Sequence, residues 1–320
     1  MTLNIRKFNG TDQDYQTCND IYNSCWPELA RSVAEAKHND KTRNPDHYFQ
    51  KFILEYDGKP VGFGSLMEKW WAKGRGEYTT HLSVMPSAIH FETAANTFYS
   101  MIGSNLTARH AKKLTTTLIE DRDNLISYYT SAGYKRTQRE PKSALDVANF
   151  DFDRFANAEE KINAKGFEIV TLGELKQRFD NWQQLDYELL EPIIQDIPSD
   201  TERGEFPFDE FIKEYDKPDF ILDGNFYAIE QTTQKWVGMS SLDRCGDDSD
   251  TLLVGLTGVK KEYRAQGIAT ALKVKTIQFA KRYGAKSIET ENDENNSMYR
   301  LNLMLGFQPK PAIVTYELTL

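Results

Sequence analysis

The sequence predicts an α/β (α+β) protein of two tandem domains, each a mixed β-sheet flanked by helices. Three observations support this fold class. The chain has 320 residues, about twice the usual domain length of roughly 100–200 residues. Short apolar runs, typical of strands, alternate with segments whose apolar residues recur at helical spacing. Part of this pattern occurs twice along the chain in the same order, which indicates an internal repeat.

The repeat is carried by two short segments. Residues 59–66 (KPVGFGSL) and 235–242 (KWVGMSSL) share five residue types at an offset of 176, and each follows an apolar run across a short polar turn. Such a pair of runs predicts a β-hairpin. A second pair, residues 132–134 and 305–307, lies at an offset of 173. We therefore predict a tandem duplication.

The predicted elements set the domain boundaries. Residues 151–166 read as a linker containing a polar, Ala-rich helix, between a first domain at 1–150 and a second at 167–320. Apolar spacing and turn residues predict the elements of the second domain in this order: strand 167–171, helix 174–190, a loop punctuated by Pro192, Pro198 and Pro207 with a short helix near 208–215, hairpin 225–243, strand 251–259, helix 266–283, strand 286–290, helix 295–305 and strand 313–317.

Composition limits the functional classes. The 39 Lys and Arg against 48 Asp and Glu give a net charge of −9, and 39% hydrophobic with 12% aromatic residues suits a folded core. The polar start and the lack of an 18-residue apolar run predict a cytoplasmic protein without a membrane segment. The acidity argues against a nucleic-acid surface.

Cysteine and histidine usage excludes further classes. Cys18, Cys25 and Cys245 match neither a disulfide framework nor a zinc site, so we expect no metal. All five histidines lie in the first 110 residues. Ser-His-Asp hydrolysis and most metal-dependent hydrolysis are therefore excluded from the second half.

The stretch Thr257–Thr270 lies where a predicted strand ends and a long helix begins. A helix start offers unpaired N–H groups and partial positive charge, and Gly267 lets a ligand approach the backbone. Lys260, Lys261 and Arg264 add positive charge. This pattern favours a pyrophosphate site, and the alternative is a glycine turn that only caps the helix.

The run Arg264-Ala-Gln-Gly267-Ile-Ala269 resembles the acetyl-CoA motif of the Gcn5-related N-acetyltransferases (GNAT), Gln/Arg-x-x-Gly-x-Gly/Ala. Downstream, Asn295, Met298, Asn302 and Gly306-Phe307 resemble the last helix and following strand of that family, so the resemblance covers 167–320. It implies a sheet splayed at its centre, with acetyl-CoA as co-substrate. The cofactor residues that it implies are Thr257, Gly258, Val259, Arg264, Ala265, Gln266, Gly267, Ile268, Ala269, Thr270 and Asn295.

The resemblance also implies direct attack of an amine on the thioester, with a backbone N–H polarising the carbonyl and an acid protonating the thiolate. Many members of the family carry Tyr where this chain has Asn302. Tyr299, one turn earlier, is the substitute acid unless it only packs on the sheet, and water is the alternative proton source. Glu289 and Glu291, which share one strand face, are the candidate bases, with a water relay as the alternative.

The first half departs from the motif. Ile89 and Glu92 stand where the second half has Arg264 and Gly267, and a carboxylate there would repel a pyrophosphate. Tyr129 occupies the position of the family's acid, either as a core relic or facing the acceptor. We expect a degenerate GNAT-like domain that does not bind coenzyme A.

The sequence thus predicts an N-acetyltransferase that moves an acetyl group from acetyl-CoA to a small primary amine, with its site in the C-terminal domain and a monomeric or homodimeric state. Net acidity favours a cationic acceptor. The alternative is a non-catalytic acyl-CoA-binding or regulatory pseudo-acetyltransferase. A third hypothesis, recruitment of a protein partner by the first half, requires an exposed patch around Trp70 and Trp71.

Overall fold

The computed structural model describes residues 2–246 and 248–320. Its internal contacts divide the chain into two compact units. The first unit runs to Arg139 and includes Ser199–Glu205 and Ile313–Leu320; the second comprises Glu140–Pro198 and Phe206–Ala312. Both units contain a mixed sheet with helices, which confirms the predicted fold class.

The first unit contains a sheet in the order β1-β2-β3-β4-β5-β12. Its strands are β1 (Leu3–Lys7), β2 (Phe49–Tyr56), β3 (Lys59–Glu68), β4 (Glu77–Val84), β5 (Lys113–Ile119) and the later part of β12 (Gln308–Thr319). Its helices are α1 (Asp12–Cys25), α2 (Val33–Thr42), α3 (Phe91–Ala108) and α4 (Asp123–Ser131). Phe98 and Ile102 of α3 are fully buried in its core, beside Leu54 and Leu66 of the hairpin.

The second unit contains a sheet in the order β7-β8-β9-β10-β11-β6. Its strands are β7 (Phe167–Thr171), β8 (Phe226–Glu230), β9 (Trp236–Cys245), β10 (Asp248–Val259), β11 (Ser287–Glu291) and the later part of β6 (Lys135–Asp146). Its helices are α5 (Ala158–Asn163), α6 (Leu172–Arg178), α7 (Trp182–Gln195), α8 (Phe208–Phe211), α9 (Ile268–Tyr283) and α10 (Ser297–Met304). Leu272 and Ile277 bury the inner face of α9.

The sixth strand of each sheet comes from the other half of the chain. Ile313–Thr319 of β12 pairs antiparallel with β5 in the first unit. Lys142–Asp146 of β6 pairs antiparallel with β11 in the second unit. The compact units therefore differ from the sequence ranges 1–150 and 167–320, because backbone pairing groups these strands with the opposite halves.

The central splay implied by the family resemblance is confirmed. Strand β10 pairs in parallel with β11 only along Thr251–Leu253, although β10 continues to Val259. In the first unit, β4 pairs with β5 only along Glu77–Thr79 and continues to Val84. Backbone groups beyond these points are released from that pairing, which leaves an opening between the two strands.

The single helix predicted over 174–190 is wrong: two helices, α6 and α7, cover this region. Thr171 begins α6 through a reciprocal capping box with Glu174, and Phe179 ends it in an extended conformation. Pro192, expected in the following loop, lies inside α7. None of the helices in residues 2–246 and 248–320 combines the length and apolarity needed to cross a membrane.

Candidate functional site

A cavity of about 290 Å³ lies in the second unit. Its walls are the end of β10, the turn that precedes α9, the first turn of α10 and the C-terminal end of α7. Nine of the residues proposed from the sequence to hold a cofactor line this one cavity: Thr257, Gly258, Val259, Arg264, Ala265, Gly267, Ile268, Ala269 and Thr270.

The turn before α9 has a backbone that favours glycine. Gly267 has φ of 91° and Ala265 has φ of 61°, both in the left-handed region. The first bond of the helix runs from Ala271 N to Gly267 O at 3.1 Å. The N–H groups of the first helical turn, from Ile268 to Thr270, therefore have no intrahelical acceptor, and they make the positive end of the helix an anion site.

Arg264 connects two walls of the cavity. Its Nε donates to the Val259 carbonyl at 2.9 Å, and its Nη2 lies 2.8 Å from Oδ2 of Asp196, just after α7. Both side chains of the ion pair are more than two-fifths exposed, 44% and 41%. Opposite charges thus meet at the mouth of the cavity, and the pair can separate at low cost because it is solvated.

Helix α7 lies directly against β10. A Cβ atom built on Gly258 would lie only 2.2 Å from Cγ2 of Ile193, so no side chain fits there unless Ile193 shifts. Ile193, Asp196 and Ile197 supply this wall of the cavity. Sequence reasoning missed them because Pro192 was interpreted as part of a loop.

Two proposed cofactor residues are absent from the cavity lining. The Gln266 carbonyl accepts a hydrogen bond from Lys165 Nζ at 2.7 Å. Asn295 is exposed, and its N–H donates to Oδ1 of Asp293 at 2.8 Å. The next residue, Asn296, lines the cavity instead and caps α10 by accepting from the Met298 N–H at 3.0 Å.

Tyr299 and Asn302, the proposed acid and its family position, both lie on α10. Tyr299 is half-buried and is not among the residues that line the cavity. Asn302 is fully buried; its Nδ2 donates to Oδ1 of Asn292 at 2.6 Å. Its own Oδ1 is buried without a hydrogen-bond partner in the described residues.

Glu289 and Glu291 share one face of β11, as strand alternation predicts. Glu289 forms ion pairs with Lys142, at 3.5 Å, and with Lys310. Glu291 reaches solvent, yet the surrounding protein raises the pKa of its carboxyl, and Lys142 partly offsets this effect. Glu289 is thus held by two ion pairs, whereas Lys142 acts on Glu291 only from a distance.

Lys273 is a buried cation that sequence reasoning missed. Only 2% of this residue on α9 is exposed, and its Nζ lies 5.4 Å from the centre of the Phe307 ring. Burial lowers the pKa of its ammonium to about 7. No signal in the sequence separates Lys273 from the solvated lysines of the same helix.

The first unit keeps a cavity at the corresponding place, about 370 Å³ in volume, between the end of β4 and the start of α3. Ile89 lines it, and Glu92 lies exposed in the first turn of α3. Tyr129 is buried, and its hydroxyl lies 2.8 Å from that of Tyr99; burial raises the pKa of Tyr129 to about 12. Tyr129 therefore packs in the core.

Two other features bear on alternative functions. Trp70 and Trp71 are half-buried, and Trp70 stacks on His47 with ring centres 5.1 Å apart, so they do not form the exposed patch that the partner hypothesis requires. Among the described residues, no three His, Cys, Asp or Glu side chains come together as a metal site.

The family comparison decides the nature of this part of the chain. Residues 183–307, which contain every residue that lines the cavity, match the model of the acetyltransferase (GNAT) family. This match covers less than half of the 320 residues. No curated protein sequence matches the chain.

Solved structures extend the likeness to the fold of the whole chain. A tandem GNAT protein from the clavulanic acid biosynthesis pathway aligns over 99% of this chain and 98% of its own, with TM-score 0.77 and 16% identity. A Gcn5-related N-acetyltransferase from Sphaerobacter thermophilus aligns over 99% and 95%, with TM-score 0.69 and 14% identity. A GNAT-family acetyltransferase from Colwellia psychrerythraea aligns over 99% and 100%, with TM-score 0.60 and 11% identity. The chain has the tandem GNAT fold.

Proposed function

We propose that this protein is an N-acetyltransferase that moves the acetyl group of acetyl-CoA to a small primary amine, with its active site in the second unit. The observation that carries this proposal is the cavity at the start of α9, where nine residues predicted to hold the cofactor meet within the stretch that matches the family. Family membership supports acyl transfer in general; acetyl-CoA and the amine acceptor are the proposal.

The cavity suits a diphosphate at one end and an extended amide chain at the other. N–H groups at the start of α9 and the cation of Arg264 offer hydrogen bonds and charge to a diphosphate. The end of β10, at Thr257–Val259, borders the same cavity beyond the point where β10 and β11 separate. Its backbone is the proposed partner of the pantetheine arm.

In the proposed reaction the neutral amine attacks the thioester carbonyl carbon, the C–S bond breaks and coenzyme A leaves as a thiolate. A backbone N–H of the splayed strand polarises the carbonyl oxygen. The thiolate takes its proton from Tyr299 or from water, since a thiol of pKa about 8.5 is a tolerable leaving group. The amine proton passes to a carboxylate or to water. Of the two glutamates, Glu291 is the better candidate, because Glu289 is held in ion pairs with Lys142 and Lys310.

A second candidate function is an acyl-CoA-binding module without catalysis. Asn302 favours it, because an amide cannot protonate a thiolate as a phenol does, and in this chain that amide is tied to Asn292. The same cavity serves both functions, so binding of acetyl-CoA alone does not separate them.

A paired experiment separates the two. Calorimetry measures acetyl-CoA binding, and a thiol-release assay measures turnover across a panel of primary amines that includes polyamines, amino sugars and amino acids. We expect binding together with acceptor-dependent thiol release. Binding without release across the panel would support the non-catalytic module, and absence of binding would refute both functions.

A further inference from the structure

Asp243 lies beside an irregular part of β10. The β9–β10 register runs from Leu242–Val254 to Ser240–Thr257, so two residues of β10 face one of β9. This is a β-bulge, which re-aims the bulged strand. Oγ of Ser241 holds it by accepting from the Leu256 N–H at 2.9 Å.

Gly255 in this bulge leaves the Asp243 carboxylate against the backbone of β10. A Cβ atom built on Gly255 would lie 2.5 Å from Oδ2 of Asp243. Any larger residue there would displace the carboxylate. The bulge and the absence of a side chain at Gly255 together place Oδ2 of Asp243 against β10. The residues of β10 that follow, from Thr257 onward, line the cavity.

The carboxylate also lies at the start of the splay. Leu253 pairs with Asp243 on one side and with Glu289 on the other, and the β10–β11 pairing ends at this row. Leu242 and Leu252 pack in the core with α9, so their neighbours Asp243 and Leu253 face the opposite side of the sheet. Asp243 thus borders the opening, on the face away from α9.

The side chain of Asp243 has no hydrogen bond or ion pair with any residue that the structure describes, although charged groups surround it. Lys217 is paired with Glu214 at 2.5 Å, and Arg244 donates to the Pro218 carbonyl. Asp219 adds a second negative charge, and its Oδ1 is buried without a partner. Burial first, and then Asp219, raise the pKa of Asp243 to about 7.

Both nearby cations have partners elsewhere, and neither forms an ion pair with the Asp243 carboxylate. We propose that Asp243 holds the protonated amino group of a cationic acceptor and takes one proton from it before attack. This inference rests on the proposed function and names its base. The ammonium gives its proton to the carboxylate, and the free amine attacks the thioester carbon. The nitrogen then loses its second proton, the thiolate gains one, and the carboxylic acid returns its proton to solvent.

The test compares the wild-type chain with the Asp243→Asn variant, which keeps the size of the side chain. The probes are acetyl-CoA with the best strongly basic amine of the panel, and with a hydroxylamine, which is neutral at pH 7. We expect the variant to lose about 100-fold in kcat/KM with the basic amine, and less than fivefold with the hydroxylamine. The acid limb of the pH profile should disappear, and acetyl-CoA affinity should be unchanged. Asp216→Asn, which removes an exposed carboxylate of the same segment and leaves the Lys217–Glu214 pair in place, is the matched control and should stay within twofold.

The outcomes are distinct. Wild-type turnover that Asp243→Asn leaves unchanged, or lowers equally for both nucleophiles, would overturn the inference while the proposed function stands. Absence of wild-type turnover with every amine would overturn the proposed function and this inference together. Selective loss with the basic amine supports both.

Discussion

Nη2 of Arg264 lies 2.8 Å from Oδ2 of Asp196. A carboxylate at the C-terminal end of α7 is therefore paired with the cation that the proposed diphosphate would bind. Val259 holds the same guanidinium through its carbonyl, at 2.9 Å. The pair lies at the mouth of the cavity and is solvated. It therefore competes with an anionic ligand but does not block it.

This competition predicts opposite effects for the two partners. Arg264→Met should weaken acetyl-CoA binding about tenfold, because a charged hydrogen bond to phosphate is lost. Asp196→Asn should tighten binding by about threefold, since an exposed pair contributes less than about 1 kcal/mol. Calorimetry at low and high salt checks both, and the gain from Asp196→Asn should shrink with salt. Weaker binding in Asp196→Asn would instead mean that the aspartate positions Arg264.

Gly267 and Gly284 form a matched pair at the two ends of α9. Both have left-handed backbones, with φ of 91° and 94°. Glutamate at either position costs about 1–2 kcal/mol of strain. Gly267→Glu should in addition abolish acetyl-CoA binding, because its charge enters the anion site, while Gly284→Glu should bind normally. Calorimetry measures acetyl-CoA binding by the two variants, and thermal unfolding measures their stabilities. Equal binding by both variants would contradict a diphosphate site at this turn.

Tyr299→Phe tests the source of the proton for the thiolate. If the phenol supplies it, kcat should fall about tenfold or more while acetyl-CoA affinity stays constant. Pre-steady-state thiol release and calorimetry measure the two quantities. An unchanged kcat would assign the proton to water and leave Tyr299 as a packing residue on α10.

The burial of Lys273 should make the free energy of unfolding of the protein depend on pH. Its native pKa of about 7 lies below the value near 10.4 of an unfolded lysine. Burial of the ammonium therefore costs stability at pH 7 and below, and the cost is relieved as pH rises from 7 toward 10, by up to about 1.4 kcal/mol per pH unit. Lys273→Met should be more stable than wild type at pH 7, and the difference should narrow toward pH 10.

Denaturant unfolding at several pH values measures this difference. Lys281→Met, at an exposed residue of the same helix, is the control, and its stability difference from wild type should not change with pH between 7 and 10. A parallel pH response of Lys273→Met and wild type would show that Lys273 is charged in the native protein.

Because Val314 packs in the first unit, we expect a substitution at this C-terminal residue to destabilise that unit. This residue of β12 is 1% exposed, packs in the core of the first unit and pairs with Leu118 of β5. Val314→Ala should cost about 2 kcal/mol and speed amide exchange in β5. Val274→Ala in α9 should speed exchange in the second unit instead. Faster exchange confined to β10 and β11 in Val314→Ala would contradict this strand assignment.

Local chemistry explains which features were predictable. The start of α9 was evident because a strand end, a glycine and basic residues occur within a few positions. The α7 wall was not, because Asp196 and Ile193 reach β10 only through packing, and a proline in the last turns of a helix resembles a loop signal. The burial of Lys273 beside Phe307 and the contact of Asp243 with Gly255 likewise depend on neighbours in other elements of the fold.

The sequence by itself determined two tandem α/β halves and the anion site at the start of α9, because hydrophobic periodicity and turn residues act over short distances. Only the tertiary structure decided that β12 completes the sheet of the first unit and β6 that of the second. Strand partners are chosen by backbone hydrogen bonds between segments remote in the chain, and no local pattern encodes them. The same physics placed Asp243 beside Gly255, since register across a bulge sets which side chain meets which backbone.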